Sequence, residues 1–437
     1  MTDCYQEELA FPMVKHRKVR GCFGGGEITS DGGVLLTALA DRRLGLTEAL
    51  ARALPDARDP GRVTHSLRSL LRQRIYGLVQ GWEDLNDHQR LRTDTAMQTA
   101  VGCEEELASA ATLCRMENTA ARHTARLMHR VLIETFIKSF KSPPQELILD
   151  FDATDDPVHG SQEGRFFHGY YQGWCFLPLY VFCGQQLLVS LLRPANTDAA
   201  RGAWCVLRLL AKRLREAFPQ VRLIMRADSG FCRWRMLRWC EKHQIDYIVG
   251  LARNTRLETL LKPHLEQAAK DYAAKGCKQR RFVELSYAAR SWDKPRRVIG
   301  KAEYTDKGGN PRFILTSLTG EGQQLYEEVY CARGEMENRI KEQQQDLFAG
   351  RTSCHHWWPN QLRLLLSSCA YTLLEAIRRL GLQGTSMAKA QAGTIRLKLL
   401  KIGAVVLRNT RRVQLLWSSS FPNQDIFTQA WKSLSSA

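Results

Sequence analysis

Apolar positions along the chain change period near residue 145. Before it they recur at helical spacing. Asp31-Gly32-Gly33 precedes an amphipathic run from Val34 to Leu44. A second run, Ser66 to Gln80, carries Leu67, Leu70, Leu71, Ile75 and Leu78 on one face and Arg68, Arg72 and Arg74 on the other. Helical pattern continues from Leu91 to Ile137, and Lys141-Ser142-Pro143-Pro144 marks a boundary.

From Glu146 the pattern becomes strand-like. Leu147 to Phe151 is a short apolar strand running into acidic residues, and Trp174 to Cys183 is the longest apolar stretch. Cys175–Phe182 and Gln186–Leu192 read as two strands of a hairpin turning at Cys183-Gly184-Gln185. Helix over 198–218, strand over 221–225, helix over 232–243 and strand over 245–251 follow, which suits a mixed sheet covered by helices. The stretch from Arg281 to Leu318 is strand-rich, Glu327–Phe348 returns to helix, and Gln361–Leu380 predicts a long amphipathic helix.

Composition narrows the partners. With 63 Lys+Arg against 45 Asp+Glu, the formal charge is +18. Such a surplus favours an anionic partner, because each neutralised phosphate releases condensed counterions. Nucleic acid is the first candidate and an anionic membrane surface the second. Between Ala376 and Gln424 every charged residue is basic. The N-terminal helical region reads either as a DNA-binding domain or as a cap packed on the core. No apolar run is long enough for a membrane span, Met1–Leu9 is polar and acidic, and no signal-peptide pattern is present. Thirteen scattered cysteines without a C-x-x-C pair suit reduced thiols in a cytoplasm rather than a disulfide framework or structural zinc. Cys354-His355-His356 is the one dense ligand-like cluster, but adjacent residues rarely converge on one metal.

Candidate chemistry concentrates in three places. In Leu149-Asp150-Phe151-Asp152-Ala153-Thr154, a strand puts Asp150 and Asp152 on one side. Two like charges there repel unless a cation is bound, and a divalent metal with oxygen ligands resolves the repulsion. An Asp-rich turn is the plainer reading. Asp228 follows the apolar strand Val221–Met225 and precedes Ser229-Gly230, a strand-end position where open α/β sheets hold ligands and where turns are also common. In the third place, Tyr330, Arg333, Glu337, Lys341 and Gln344 form one polar helical stripe, while Glu335 points elsewhere. Such a stripe is either a solvated face or an acid set among cations to meet a phosphodiester.

This set resembles that of DDE-superfamily insertion-sequence transposases. Asp152-Ala153-Thr154 matches their first Asp in a D-x-T setting, and Asp228 matches the second. Tyr330, Arg333 and Glu337 match the Y-x2-R-x3-E-x6-K signature, whose lysine position falls here on Gln344; Lys341, one turn earlier, is the candidate substitute. Residues 152–160 and 334–342 resemble the bacterial insertion-sequence 1380 family, and the likeness runs from about Ser30 to Arg412.

The resemblance implies an α/β fold: a ribonuclease-H-like mixed sheet flanked by helices, an N-terminal helical domain, and a β-rich insertion before the last catalytic helix. The expected divisions are 1–140 helical and DNA-binding, 145–254 the first part of the core, 255–325 the insertion, 326–380 the rest of the core, and 381–437 a basic C-terminal region. It further implies two Mg²⁺ ions, about 4 Å apart and replaceable by Mn²⁺, held by Asp152, Asp228 and Glu337. Water attack would free a 3′-hydroxyl at the element end, and that hydroxyl would attack target DNA. The implied partners are double-stranded DNA (terminal inverted repeats and target) and a second copy of the chain, with no membrane, in a bacterial cytoplasm at the nucleoid. Tyr330, Arg333, Lys341, Trp292, Arg296, Arg297, Arg68 and Arg72 are the candidate DNA contacts. Trp292, flanked by cations, suits stacking on an extruded base, or else packs on its own hairpin. Two rivals remain: a transposase-derived DNA-binding protein without catalysis, and a D-x-D-x-T phosphatase. The second lacks the later G-D-x-x-x-D loop it needs.

Overall fold

The computed structural model describes residues 8–436; the start of the polar N-terminal stretch, residues 1–7, lies outside them. The chain forms two compact units. One comprises Ala120–Gln345 and Ala349–Ser368, and the other gathers the described residues up to Thr119, Asp346–Phe348, and those from Cys369 onward.

The first unit is built on one sheet. Its strands are β1 (Glu146–Ala153), β2 (Leu179–Cys183), β3 (Gln186–Leu191), β4 (Arg222–Ala227), β5 (Ile245–Leu251), β6 (Gln279–Tyr287), β7 (Arg296–Thr305) and β8 (Arg312–Thr316). They lie in the order β6-β7-β8-β5-β4-β1-β2-β3, with Gly308–Gly309 added against β7. β4 runs parallel to both β1 and β5, and the other neighbours pair antiparallel.

Alternation along the central strands decides what each face carries. Leu147, Leu149 and Phe151 of β1 join Leu223, Met225 and Ala227 of β4 in the larger core. That face is covered by α1 (Arg122–Lys138), α2 (Ala203–Ala217), α3 (Trp234–Lys242) and α4 (Thr255–Lys275), which contribute Phe136, Leu207, Leu210, Leu214, Leu237, Cys240, Leu257 and Leu261. Asn254 starts α4 by accepting the Leu257 N–H at 3.1 Å. The opposite face presents Ile148, Ile224, Ile248, Ile299 and Ile314 to Leu325, Tyr326, Val329 and Tyr330. With both faces covered, the middle strands are buried nearly throughout, which is why they read as apolar runs.

The stretch 255–325, expected as a β-rich insertion, contributes α4 and the strands β6, β7 and β8, which extend the main sheet through the pairing of β8 with β5. The apolar run at 174–183 is two strands. Pro178 lacks the N–H that a central strand needs, so Gly173–Phe176 joins a small sheet with Asp156–Pro157 and Phe166–His168, and β2 begins only at Leu179. Helical structure continues to Lys138, but the boundary between the compact units falls after Thr119, because α1 lays Phe136, Ile133 and Ile137 on the main sheet's core.

In the second unit, the helix Leu67–Gln80 starts at Ser66, whose Oγ accepts the Ser69 N–H at 3.1 Å, and stops at Gly81 with φ 92°. Its basic face turns largely to internal partners. Arg74 is buried against Glu117 at 2.9 Å, and Arg72 reaches Asp41, Thr47 and the Val101 carbonyl. From the basic C-terminal stretch, Arg396 donates to the Val79, Leu78 and Asp346 carbonyls. No helix among the described residues is long and apolar enough to cross a membrane.

Leu149 is fully buried at the centre of the larger core. Leu149→Ala is expected to lower unfolding free energy by about 2–5 kcal/mol, read by urea titration.

Candidate active site

Strand parity and register bring the acids together. The register pairs Arg226 with Asp150 and Ala227 with Phe151, so Asp152 and Asp228, next along each parallel strand, lie at the same sheet end. Asp150, Asp152, Arg226 and Asp228 all fall on the parity of Ile148 and Ile224, the face on which the segment after Gly322 packs. That segment is irregular. Leu325–Tyr330 is π-helical, Cys331–Arg333 is 3₁₀, Gly334–Lys341 (α5) is α-helical and Glu342–Asp346 is π-helical again. Departures of this kind recur at functional sites.

Arg333 ties the constellation. Its guanidinium donates to Asp152 Oδ2 at 3.0 Å and to Glu337 Oε1 at 2.5 Å. The Asp152 side chain is largely buried, whereas that of Glu337 stays nearly half exposed. Desolvation pushes the Asp152 carboxyl up to about 6; Arg333 opposes the rise, and the charges of Asp228 and Glu337 add to it. Burial works against the Arg333 charge, yet Asp152, Glu337, Tyr330 and Asp228 together hold its pKa above the ordinary value. Asp228 caps a turn, accepting the Gly230 N–H at 2.8 Å. Tyr330 stands beside it: burial raises its phenol, and Asp228 adds to the rise while Arg333 opposes it. The close fit needs Gly250, where a Cβ would lie 2.7 Å from both Tyr330 Oη and the Ser229 nitrogen.

Asp150 has a different post. It is 2 % exposed and receives a bidentate Arg226, one arm at 2.8 Å, while Arg226 Nη1 also donates to the Val329 carbonyl at 2.5 Å. Burial raises the Asp150 carboxyl, and Arg226 opposes the rise. Asp150 thus binds β1 to β4 and to the helical segment, with its oxygens committed to Arg226.

The remaining candidates divide by partner. Lys341 is exposed, one turn beyond Glu337. Gln344, at the signature's lysine position, donates to the Asp155 carbonyl at 2.8 Å and so fastens the acidic loop. Arg296 is buried on Glu241 and Asp293 and lies over Trp292, which stacks edge-on with Tyr287 at 5.5 Å. Arg297 is held by Glu284 and the Leu318 and Gly320 carbonyls. Arg68 is exposed and paired with Glu48 at 2.7 Å. Trp292, Arg296, Arg297 and Arg72 therefore serve the fold's own packing in this arrangement. The roles of Arg226 and Gly250 escaped the sequence reading. Arg226 could have been found from its place two residues before Asp228, facing Asp150 across parallel strands.

Donor chemistry at the site fits a hard divalent cation, since the converging acids offer only carboxylate oxygens. Arg333 now supplies positive charge between Asp152 and Glu337. Among the described residues no group of three or more His, Cys, Asp or Glu side chains is close enough together to hold a metal ion. That includes Cys354-His355-His356, where the His355 carbonyl accepts from Glu163 and Cys354 is bonded to Asn360.

The profile of the family described as Transposase DDE domain group 1 matches residues 11–437. The chain belongs to that family of DDE transposases. A comparison with curated proteins finds no match. Among solved structures, the chain is similar to a piggyBac transposase synaptic complex with hairpin DNA, with 10% identity over 85% of this chain and 80% of that one and a TM-score of 0.43.

Asp150→Asn strands a buried guanidinium and is expected to cost about 3–5 kcal/mol in urea unfolding, against under about 1 kcal/mol for Asp228→Asn. Asp156 is 1 % exposed, and burial pushes its carboxyl up to about 7, opposed by a hydrogen bond from Thr352. Its folded pKa exceeds the unfolded value, so the folded chain binds the extra proton and stability falls as pH rises from about 4 through 7. Asp156→Asn is expected to stabilise by on the order of 2 kcal/mol at pH 8 and to change little at pH 4, measured by thermal unfolding.

Proposed function

We propose that this chain cuts DNA at the ends of an insertion sequence and joins the freed 3′-hydroxyl to target DNA, using Asp152, Asp228 and Glu337. The observation that carries the reading is Arg333 bonded to both Asp152 and Glu337 at the sheet end where Asp228 also emerges, in a family member with a charge of +18. The order β3-β2-β1-β4-β5, with β4 and β5 parallel to β1, supports a ribonuclease-H-like core. The finer likeness to the insertion-sequence 1380 family rests on residues 152–160 and 334–342.

Asp152, Asp228 and Glu337 would hold two Mg²⁺ ions, for which Mn²⁺ would substitute. When bound, the metal supplies Lewis acidity at the scissile phosphate and lowers the pKa of the attacking water. The chain's own groups do the rest. Asp152 lies on a strand and Asp228 caps a turn at the same sheet end, so both carboxylates are fixed before substrate arrives. Arg333 balances their charge and hands part of its positive field to the phosphodiester. Lys341, exposed on the last turn of α5, meets a backbone phosphate in place of the signature lysine, and Tyr330 positions the Asp228 turn. Substrates are double-stranded element ends and target DNA. Joining two ends calls for two copies of the chain.

The test is cleavage of a linear duplex carrying the element's terminal repeat, with Mg²⁺ or Mn²⁺. Each of Asp152→Ala, Asp228→Ala and Glu337→Ala is expected to lower cleavage by at least about 10³-fold while duplex binding persists. Binding by the wild type without any cutting would overturn the catalytic reading.

A further inference from the structure

The arginines that serve this fold are tied to its backbone. Arg226 donates to the Val329 carbonyl as well as to Asp150. Arg193, buried near the end of β3, donates to the Leu177, Ala199 and Arg201 carbonyls at 2.9, 2.7 and 2.8 Å. Arg297 and Arg396 likewise hold carbonyls from distant segments. Bonds of this kind make a guanidinium part of the frame, because removing it strands buried acceptors.

Arg333 is held differently. Among the described residues, its guanidinium bonds only to Asp152 and Glu337. It fastens no backbone carbonyl, and both partners are acids of the site. Asp152 has each oxygen engaged: Oδ1 accepts the Ala153 N–H at 2.9 Å and Oδ2 accepts Arg333 at 3.0 Å. The Arg333 side chain is 17% exposed and that of Glu337 45%, so the pair opens to solvent on the Glu337 side.

A divalent ion held by Asp152 and Glu337 needs the same carboxylate faces. Mg²⁺ lies about 2.1 Å from its oxygen ligands, closer than the 3.0 and 2.5 Å at which Arg333 approaches these two. An ion entering that gap meets both the bulk and the like charge of the guanidinium. The acids are gathered around the arginine instead, and no three of them are close enough together to hold an ion.

Resting on the reading that Asp152 and Glu337 hold the metal, we infer that Arg333 is an exchangeable counter-ion for these two acids. Arginine and divalent metal exclude each other there, so metal binding requires the guanidinium to swing out. A side chain that competes for its own site is a tethered competitor, and dilution does not remove it. The apparent metal affinity of the free chain is then reduced by the fraction of molecules in which the acids are released. An arginine that merely steadied Glu337 would act in the opposite sense, and its loss would weaken metal binding.

The experiment measures Mn²⁺ binding to the full chain without DNA, from the electron paramagnetic resonance signal of unbound Mn²⁺ at fixed pH and salt. Arg333→Gln is expected to bind at least about tenfold tighter than the wild type. Arg333→Lys keeps the charge but loses the fork that spans two carboxylates, and is expected to gain at least about threefold. If Arg333→Lys stays at the wild-type value, the effect belongs to long-range charge and the inference is overturned. Weaker binding in either variant overturns it too, as does a gain that survives Asp152→Asn added to Arg333→Gln. Both variants lose a link between β1 and the segment bearing Glu337, so the wild type supplies a second measurement that no folding defect can cloud. Modification of Arg333 by phenylglyoxal, read by peptide mass spectrometry, is expected to be faster in Mg²⁺ than in EDTA; an equal or slower rate overturns the exchange. None of these readouts depends on cutting. If the Asp152, Asp228 and Glu337 alanine series abolishes cleavage while the Arg333 variants show no gain, the exchange alone fails. If the gain appears and cutting survives that series, the exchange stands and the catalytic reading fails.

Discussion

The buried pair of Asp150 and Arg226 is the joint on which the site depends. It links adjacent parallel strands two residues before Asp152 and Asp228, and through Val329 it grips the segment that carries Arg333 and Glu337. Burying two charges is costly in itself, and a well-packed apolar pair would stabilise the sheet at least as well. An ion pair adds directionality. A bidentate guanidinium accepts one orientation of its carboxylate, so strand register and helix placement are fixed together.

Much of this arrangement was legible in the sequence, and the reasons differ by element. β1, β4 and β5 announced themselves because both faces are covered and their runs are almost purely apolar. The acids stood out because carboxylates are rare in such runs: Asp150 sits within one, on Arg226, and Asp152 and Asp228 mark the strand ends. Misread parts were those where tertiary pairing outweighs local pattern. Nothing in residues 279–316 says whether those strands form their own domain or extend an existing sheet; that is decided by Phe313–Thr316 lying against Ile248–Leu251. Likewise, helical periodicity shows that residues 122–138 have an apolar side without saying which core receives it.

Cations were the hardest residues to read. Arg68, Arg72, Arg296 and Arg297 lie in basic contexts that suggest phosphate, yet each has a carboxylate partner from elsewhere in the chain. Spacing along a helix or hairpin cannot reveal a partner many residues away. A surplus of +18 therefore overstates the number of free cations on any one face. It leaves the sign of the long-range field, and with it the attraction to DNA, untouched.

The excursion between β1 and β2 begins and ends at one place. Ala153 and Leu179 are register partners on neighbouring strands, so residues 154–178 leave and re-enter the sheet across a single pair. Geometrically the segment is a cassette: a short turn could close the same two strands, and so could a longer or differently furnished loop. The piece can be exchanged without moving either strand, and Asp152, on β1, keeps its place whatever the loop carries.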